Sequence, residues 1–243
     1  MHIIKLNAID STNSYLRQLS TKEAVKDFTV VLANYQTSGR GQMGTQWHSQ
    51  HSKNLMISLF KDVSYINIEQ HFFISIVAAL SILEALESFK LPNLKVKWPN
   101  DILSENKKIG GILIENVIKK GKLDASIIGF GINVNQTEFD NLPQASSMRL
   151  LTGRLYELEE LLQAILSKFK DYFKLLKQKE FELLKNNYEK HLFRKDKPST
   201  FQNSEGQLFS GFIKGISNSG NLQVMIENAI IKEFDLKSIT LLY

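Results

Sequence analysis

The chain has no cysteine among its 243 residues, which excludes a disulfide framework, a thiolate nucleophile and any cysteine-ligated zinc site. It also lacks a long uninterrupted apolar run, since none reaches the ~18 residues that read as a membrane-crossing helix. The opening residues, Met1-His2-Ile3-Ile4-Lys5-Leu6, have neither the extended apolar stretch nor the small-residue cleavage pattern of a secretory leader. A soluble, cytoplasmic protein without a membrane partner is the expectation. A Walker-type G-x-x-x-x-G-K-[ST] is missing as well, so a nucleotide phosphate would need another scaffold.

With 43% hydrophobic residues, the chain can bury one substantial core and a small second one. The formal charge of +5 raises the question of nucleic acid. From Leu155 to Leu192, however, Lys168, Lys170, Lys174, Lys177, Lys179, Lys185 and Lys190 interleave with Glu180, Glu182 and Glu189 around an apolar stripe. A face of mixed sign is a poor phosphate track, and no nucleic-acid partner is expected.

Chemistry concentrates in three segments. Gly39-Arg40-Gly41-Gln42-Met43-Gly44-Thr45-Gln46-Trp47 follows an apolar strand. Its glycines let backbone N–H groups approach an anion, and Arg40 adds a planar, permanent cation. The glycines also fit G-x-G-x-x-G, with Asp62 about 20 residues on. That dinucleotide fingerprint requires a helix to start inside the run, whereas residues 45–54 show no helical period and lead into a second strand. An ordinary surface hairpin is the competing interpretation. Lys97-Trp98-Pro99-Asn100-Asp101 then packs a cation, an aromatic, a rigid turn and a carboxylate into five residues. Taken alone, it reads better as an ordinary turn anchored by a core Trp. Lys107-Lys108-Ile109-Gly110-Gly111-Ile112-Leu113-Ile114-Glu115 places two lysines at the mouth of a hairpin whose glycines permit close approach of a ligand.

Periodicity predicts helices over 14–19, 68–89 and within 155–192, and strands over 29–35, 55–60, 94–96, 112–117 and 125–134. After Lys195-Asp196-Lys197-Pro198 come short strands at 208–216, 222–226 and 230–234, with turns at Glu205-Gly206 and 218–221.

Together with Gly129-Phe130-Gly131-Ile132-Asn133-Val134-Asn135 and Ser11-Thr12-Asn13, these segments stand in an order and spacing that resemble the biotin protein ligases, also called biotin–acetyl-CoA-carboxylase ligases. The resemblance covers nearly the whole chain. It implies an α+β fold: a mixed sheet with flanking helices over residues 1–194, and a small SH3-like β-barrel over 195–243. Some members carry an N-terminal DNA-binding domain and double as repressors. Here the Ser-Thr-Asn element begins at residue 11, and the single-function type is the expectation.

The activity so implied joins biotin and ATP into biotinyl-5'-AMP, then passes biotin to a lysine of a biotin carboxyl carrier protein or domain, with Mg2+ offsetting phosphate charge. No enzyme nucleophile is needed, in keeping with the absent cysteines. The resemblance places Ser11, Thr12 and Gln36 at the ureido end of biotin and counts Asn13, of the same element, among the ligand-binding residues. Gly39, Gly41 and Gln42 fall in the anion-cradling loop, with Trp47, Gly110 and Gly111 forming the walls. Asn133 would face the nucleotide and Asn100 would position phosphate or metal, although no metal ligand can be named. Arg40 and Lys108 are the candidate catalytic cations. Asp101 is the candidate to orient or deprotonate the incoming lysine, and it is readable instead as a turn cap holding Asn100. Trp47 is readable as a core residue.

Well-studied members often have Arg where this chain has Gln42, and some have a second basic residue at Thr45, so this loop is less cationic. Residues 39–47 and 104–108 are expected to close over the reactive anhydride. Lipoate or octanoate ligation, on a related scaffold, and a non-catalytic binding module are the alternatives. Monomer and homodimer stay equally open.

Overall fold

The computed structural model describes residues 2–140 and 142–243; Met1, which opens the expected first domain, and Asn141 lie outside the described residues. A seven-stranded mixed sheet carries the fold, in the order β1-β2-β3-β7-β6-β5-β4. Its strands are β1 (His2–Ile9), β2 (Thr29–Gln36), β3 (Leu55–Asp62), β4 (Lys95–Lys97), β5 (Asp101–Ser104), β6 (Lys107–Lys119) and β7 (Lys122–Ile132). β1 runs parallel to β2, and the remaining pairs are antiparallel. The first strand was not expected from the sequence, although Ile4, Leu6 and Ala8 alternate with Lys5 and Asn7; the pattern is short and lies at an exposed sheet edge, with Ile4 and Leu6 packed on the smaller core.

Period-two alternation divides the two faces of the sheet. Val30, Leu55, Ile57 and Leu59 point into the main core, where α2 (Phe72–Ser88), α4 (Leu158–Lys177) and α5 (Phe181–Lys190) pack. Val31 and Ile127 point the other way and, with Leu16, form a smaller core beneath α1 (Thr12–Lys22). By length and composition, the segment Ile68–Ser88 could span a membrane, yet two thirds of its apolar window is buried inside the protein. Its first turn, Ile68–Gln70, is a separate 3-10 turn. The expected helical stretch 155–192 divides at Gln178–Glu180, where Lys179 adopts a left-handed φ of 62° and α4 hands over to α5.

A short α3 (Met148–Thr152), capped by Ser147, was not anticipated. Beyond residue 197 a second, antiparallel sheet is built from β8 (Pro198–Asn203), β9 (Leu208–Ile216), β10 (Leu222–Met225), β11 (Ile231–Phe234) and β12 (Ile239–Leu242), in the order β11-β10-β9-β8-β12. It is seated firmly on the first unit. Trp98 Nε1 donates to the Gly220 carbonyl at 2.9 Å, and Ile216 N donates to Glu189 Oε1 at 3.0 Å. Gly220 has a φ of 91°, and a methyl group there would meet the Phe72 ring at 2.1 Å, so only glycine allows this approach.

Candidate active site

A cleft of about 300 Å³ lies where the N-terminus of α1 meets the seven-stranded sheet and the glycine loop. One end is polar. Ser11 caps α1, and the first helical residue, Thr12, donates its backbone N–H to Gln36 Oε1 at 2.8 Å and its hydroxyl to the same oxygen at 3.1 Å. The Ser58 hydroxyl lies within hydrogen-bonding distance of both the Thr12 hydroxyl and Asn13 Oδ1. Three neighbouring elements therefore lock these polar groups before any ligand contact is considered.

The floor is defined by missing side chains. Gly111 faces Gly131 across the β6–β7 ladder, and Leu113 faces Gly129. A methyl group at Gly129 would lie 2.2 Å from Asn13 Oδ1, and one at Gly131 would lie 2.5 Å from the Trp47 ring. Glycine here lets Asn13 and Trp47 lie directly against the sheet. Trp47 Nε1 is buried without a hydrogen-bond partner.

The other end is charged. Asp101, at the head of β5, takes Lys108 at 2.6 Å and Lys97 at 3.9 Å. Lys97 also sits 4.6 Å from the centre of the Tyr243 ring. Burial, aided by repulsion from Lys108 and opposed by Asp101, pulls the Lys97 ammonium below its ordinary value. Burial raises the Tyr243 hydroxyl, with Asp101 adding to the shift. The Lys108 backbone is clamped by Gln144 O at 2.7 Å and Ser146 N at 2.9 Å. Residues 104–108, expected as a closing loop, are thus a tight hairpin turning at Glu105-Asn106, both at positive φ. Asn100 pairs with Ile112 twice, through its carbonyl and its side-chain amide. Arg40 stands between the two ends, bridged to Gln46 across the glycine loop. Within that loop Gln42–Gly44 forms a single 3-10 turn in which Met43 adopts a φ of 54°.

A cleft that pairs a small polar end with a cluster of cations suits an elongated acid whose carboxylate meets a polyphosphate. The model of the biotin/lipoate A/B protein ligase family matches residues 6–133, more than half of the chain. The chain belongs to this family. A bifunctional ligase/repressor BirA of Bacillus spizizenii is 32% identical over 182 residues, covering 70% of this chain and 54% of its own length. A biotin–[acetyl-CoA-carboxylase] ligase of Mycobacterium tuberculosis is 29% identical over 141 residues, covering 57% of this chain and 51% of its own. The chain therefore spans about half the length of these relatives. Among solved structures, a biotin protein ligase from Aquifex aeolicus in complex with biotin and ATP superposes with a TM-score of 0.83 at 29% identity, covering 99% of this chain and 98% of that one.

In this family member, Ser11, Thr12, Asn13, Gln36, Arg40, Gly41, Gln42, Trp47, Asn100, Asp101, Lys108 and Gly111 all line the one cleft. Three other residues singled out from the sequence stand behind its wall. A methyl group on Gly39 would strike the Trp47 carbonyl, and one on Gly110 would strike Ile132, so both glycines allow backbone packing. Asn133 is buried, donates to Ser146 O at 3.0 Å, and keeps its own Oδ1 unpaired. The cleft also gathers residues not anticipated as ligand-facing. Lys97 was visible only as part of its motif, and Leu236 arrives from the loop joining β11 to β12 with no sequence signal at all. Among the described residues, no group of three or more histidine or acidic side chains gathers to hold a metal.

Proposed function

We propose that this chain activates biotin with ATP and transfers it to a lysine of a biotin carboxyl carrier protein. The observation that carries the reading is the shared cleft, with the Thr12–Gln36–Ser58 cluster at one end, Lys97 and Lys108 gathered at Asp101 at the other, and Arg40 on the glycine loop that borders it. In the first step a carboxylate oxygen of biotin attacks the α-phosphorus, the bond to the β-phosphate oxygen breaks, and pyrophosphate leaves. Two anions must meet, so the protein contributes fixed charge and position. Arg40 forks onto the carboxylate or α-phosphate, while Lys108 acts as a compact charge near the bridging oxygens, with Lys97 beside it.

In the second step the carrier lysine amine attacks the acyl carbon, an amide forms and AMP departs with its oxygen. Asp101 orients that amine and accepts its proton. Ser11, Thr12, Asn13 and Gln36 receive the ureido ring, Trp47 and Gly111 flank the apolar part, Gly41 and Gln42 cover the anhydride, and Gly39, Gly110 and Asn133 support from behind. Since no three histidine or acidic side chains gather among the described residues, Mg2+ would enter on the phosphates with most of its waters retained, and Asn100 is the residue at hand to position it. Residues 1–194 form the catalytic unit and 195–243 the smaller domain in this reading. We place the enzyme in the cytoplasm, as a monomer or homodimer acting without nucleic acid.

The family model also spans lipoate ligases, so the acid must be tested directly. Exchange of labelled pyrophosphate into ATP, with magnesium, is measured with biotin, lipoate, octanoate and no acid. Exchange with biotin alone is expected. Exchange with lipoate or octanoate alone assigns the chain to that branch, and none with any acid leaves a binding module.

A further inference from the structure

Glu115 lies on β6 with its carboxylate 19% exposed, outside the cleft surface but against the glycine loop. Its Oε2 accepts from Arg40 Nη2 at 2.7 Å and from Asn13 Nδ2 at 2.9 Å, and its Oε1 faces Arg17 Nη1 at 3.7 Å. A carboxylate beside a site that gathers two anions opposes them by simple charge repulsion. Its presence there calls for a role that outweighs this repulsion. Asn13 is itself immobile, pinned by Ser58, by the Leu113 carbonyl and by the bare Gly129 backbone. Glu115 is thus fixed on one side to a rigid amide and joined on the other to the one arginine of a glycine-rich loop.

We infer, on the basis of the ligase reading above, that Glu115 is the positioning residue for Arg40. It takes one edge of the guanidinium and leaves the other N–H donors of the fork for the substrate anion. Arg17 neutralises the second carboxylate oxygen, so the substrate does not meet an uncompensated charge. The role differs from that of the cleft residues, because Glu115 acts only through Arg40.

The test is a double-mutant cycle on the full chain with Glu115→Ala, Arg40→Ala and the pair. Both the rate of biotin-dependent pyrophosphate exchange and the calorimetric Kd for biotin are read. The Kd keeps the cycle measurable where Arg40→Ala exchange falls below detection. With Arg40 present, Glu115→Ala is expected to slow exchange about tenfold or more and to raise Kd about three- to tenfold. On the Arg40→Ala background the same change should move either quantity less than about twofold. Glu115→Asp, with its shorter reach, should fall between wild type and Ala. Equal losses on both backgrounds would assign Glu115 to the wall through Asn13 and overturn the inference, as would an unchanged Glu115→Ala protein. Absence of exchange by the unmodified chain would instead strike the ligase reading itself.

Discussion

Lys108 Nζ lies 2.6 Å from one oxygen of Asp101 while Lys97 Nζ approaches the other at 3.9 Å, so a single carboxylate serves two ammonium groups. The trio keeps a net positive charge at this end of the cleft, and in the proposed reaction its carboxylate is the group that meets the carrier amine.

Asp101→Asn separates these two duties. The amide still accepts a hydrogen bond from Lys108 but takes no proton, so transfer to the carrier should fall about a hundredfold, while adenylate formation falls less than about tenfold. Pyrophosphate exchange reports the first half-reaction, and single-turnover transfer from preformed biotinyl-5'-AMP reports the second. Equal losses in both would return Asp101 to the status of a turn cap.

Gln42 lines the cleft in the glycine loop without contributing charge. Gln42→Arg adds a charge-assisted donor in partly exposed surroundings, and dissociation of biotinyl-5'-AMP should slow about three- to tenfold. A release rate equal to that of the parent chain would rule the idea out.

Lys97 predicts an alkaline limb. Burial depresses its pKa, so it carries its charge below that depressed value and loses it as pH rises through it. Exchange at limiting ATP should therefore decline with a midpoint below the ordinary lysine range, and Lys97→Met should abolish that limb. The unfolded chain binds more protons between the depressed and ordinary values, so stability rises with pH across that window. Denaturant unfolding at several pH values should show the rise in the parent chain and a smaller one in Lys97→Met.

Gly220→Ala tests the seating of the second sheet. A methyl group would collide with Phe72 at 2.1 Å and require a left-handed residue, a combined destabilisation of about 2–4 kcal/mol. The backbone shift that relieves the clash would carry the residue-220 carbonyl away from Trp98 Nε1, so exchange should fall along with the unfolding midpoint. A Gly220→Ala protein with parent-like midpoint and activity would show the joint to be loose.

The parts of the fold that were legible in the sequence are those where pattern and burial coincide. β3 and β7 are buried over most of their length because both of their faces are covered, and α2 is apolar nearly all round for the same reason. β1 and β12 were hidden as half-wet edge strands, and β8 because its six residues open on Pro198 and are mostly polar, although it pairs on both sides. The glycine loop, the Trp-Pro turn and the paired lysines marked the cleft because backbone approach and fixed charge require particular residue types. Leu236 and Tyr243 could not be found that way. They reach Lys97 and its surroundings through a tertiary joint, and nothing local in the sequence encodes that meeting.

The joint also sets a timetable. Ser11 and Leu236 border the same cleft, and the Trp98 side chain waits for the carbonyl of Gly220. During synthesis the glycine floor and the polar end can assemble early, but the cleft wall is finished only when residues 220–236 have emerged and docked. A nascent chain that has folded its large sheet would hold the ingredients of the site while still lacking its closing wall, so competence would arrive abruptly with the docking of the second sheet.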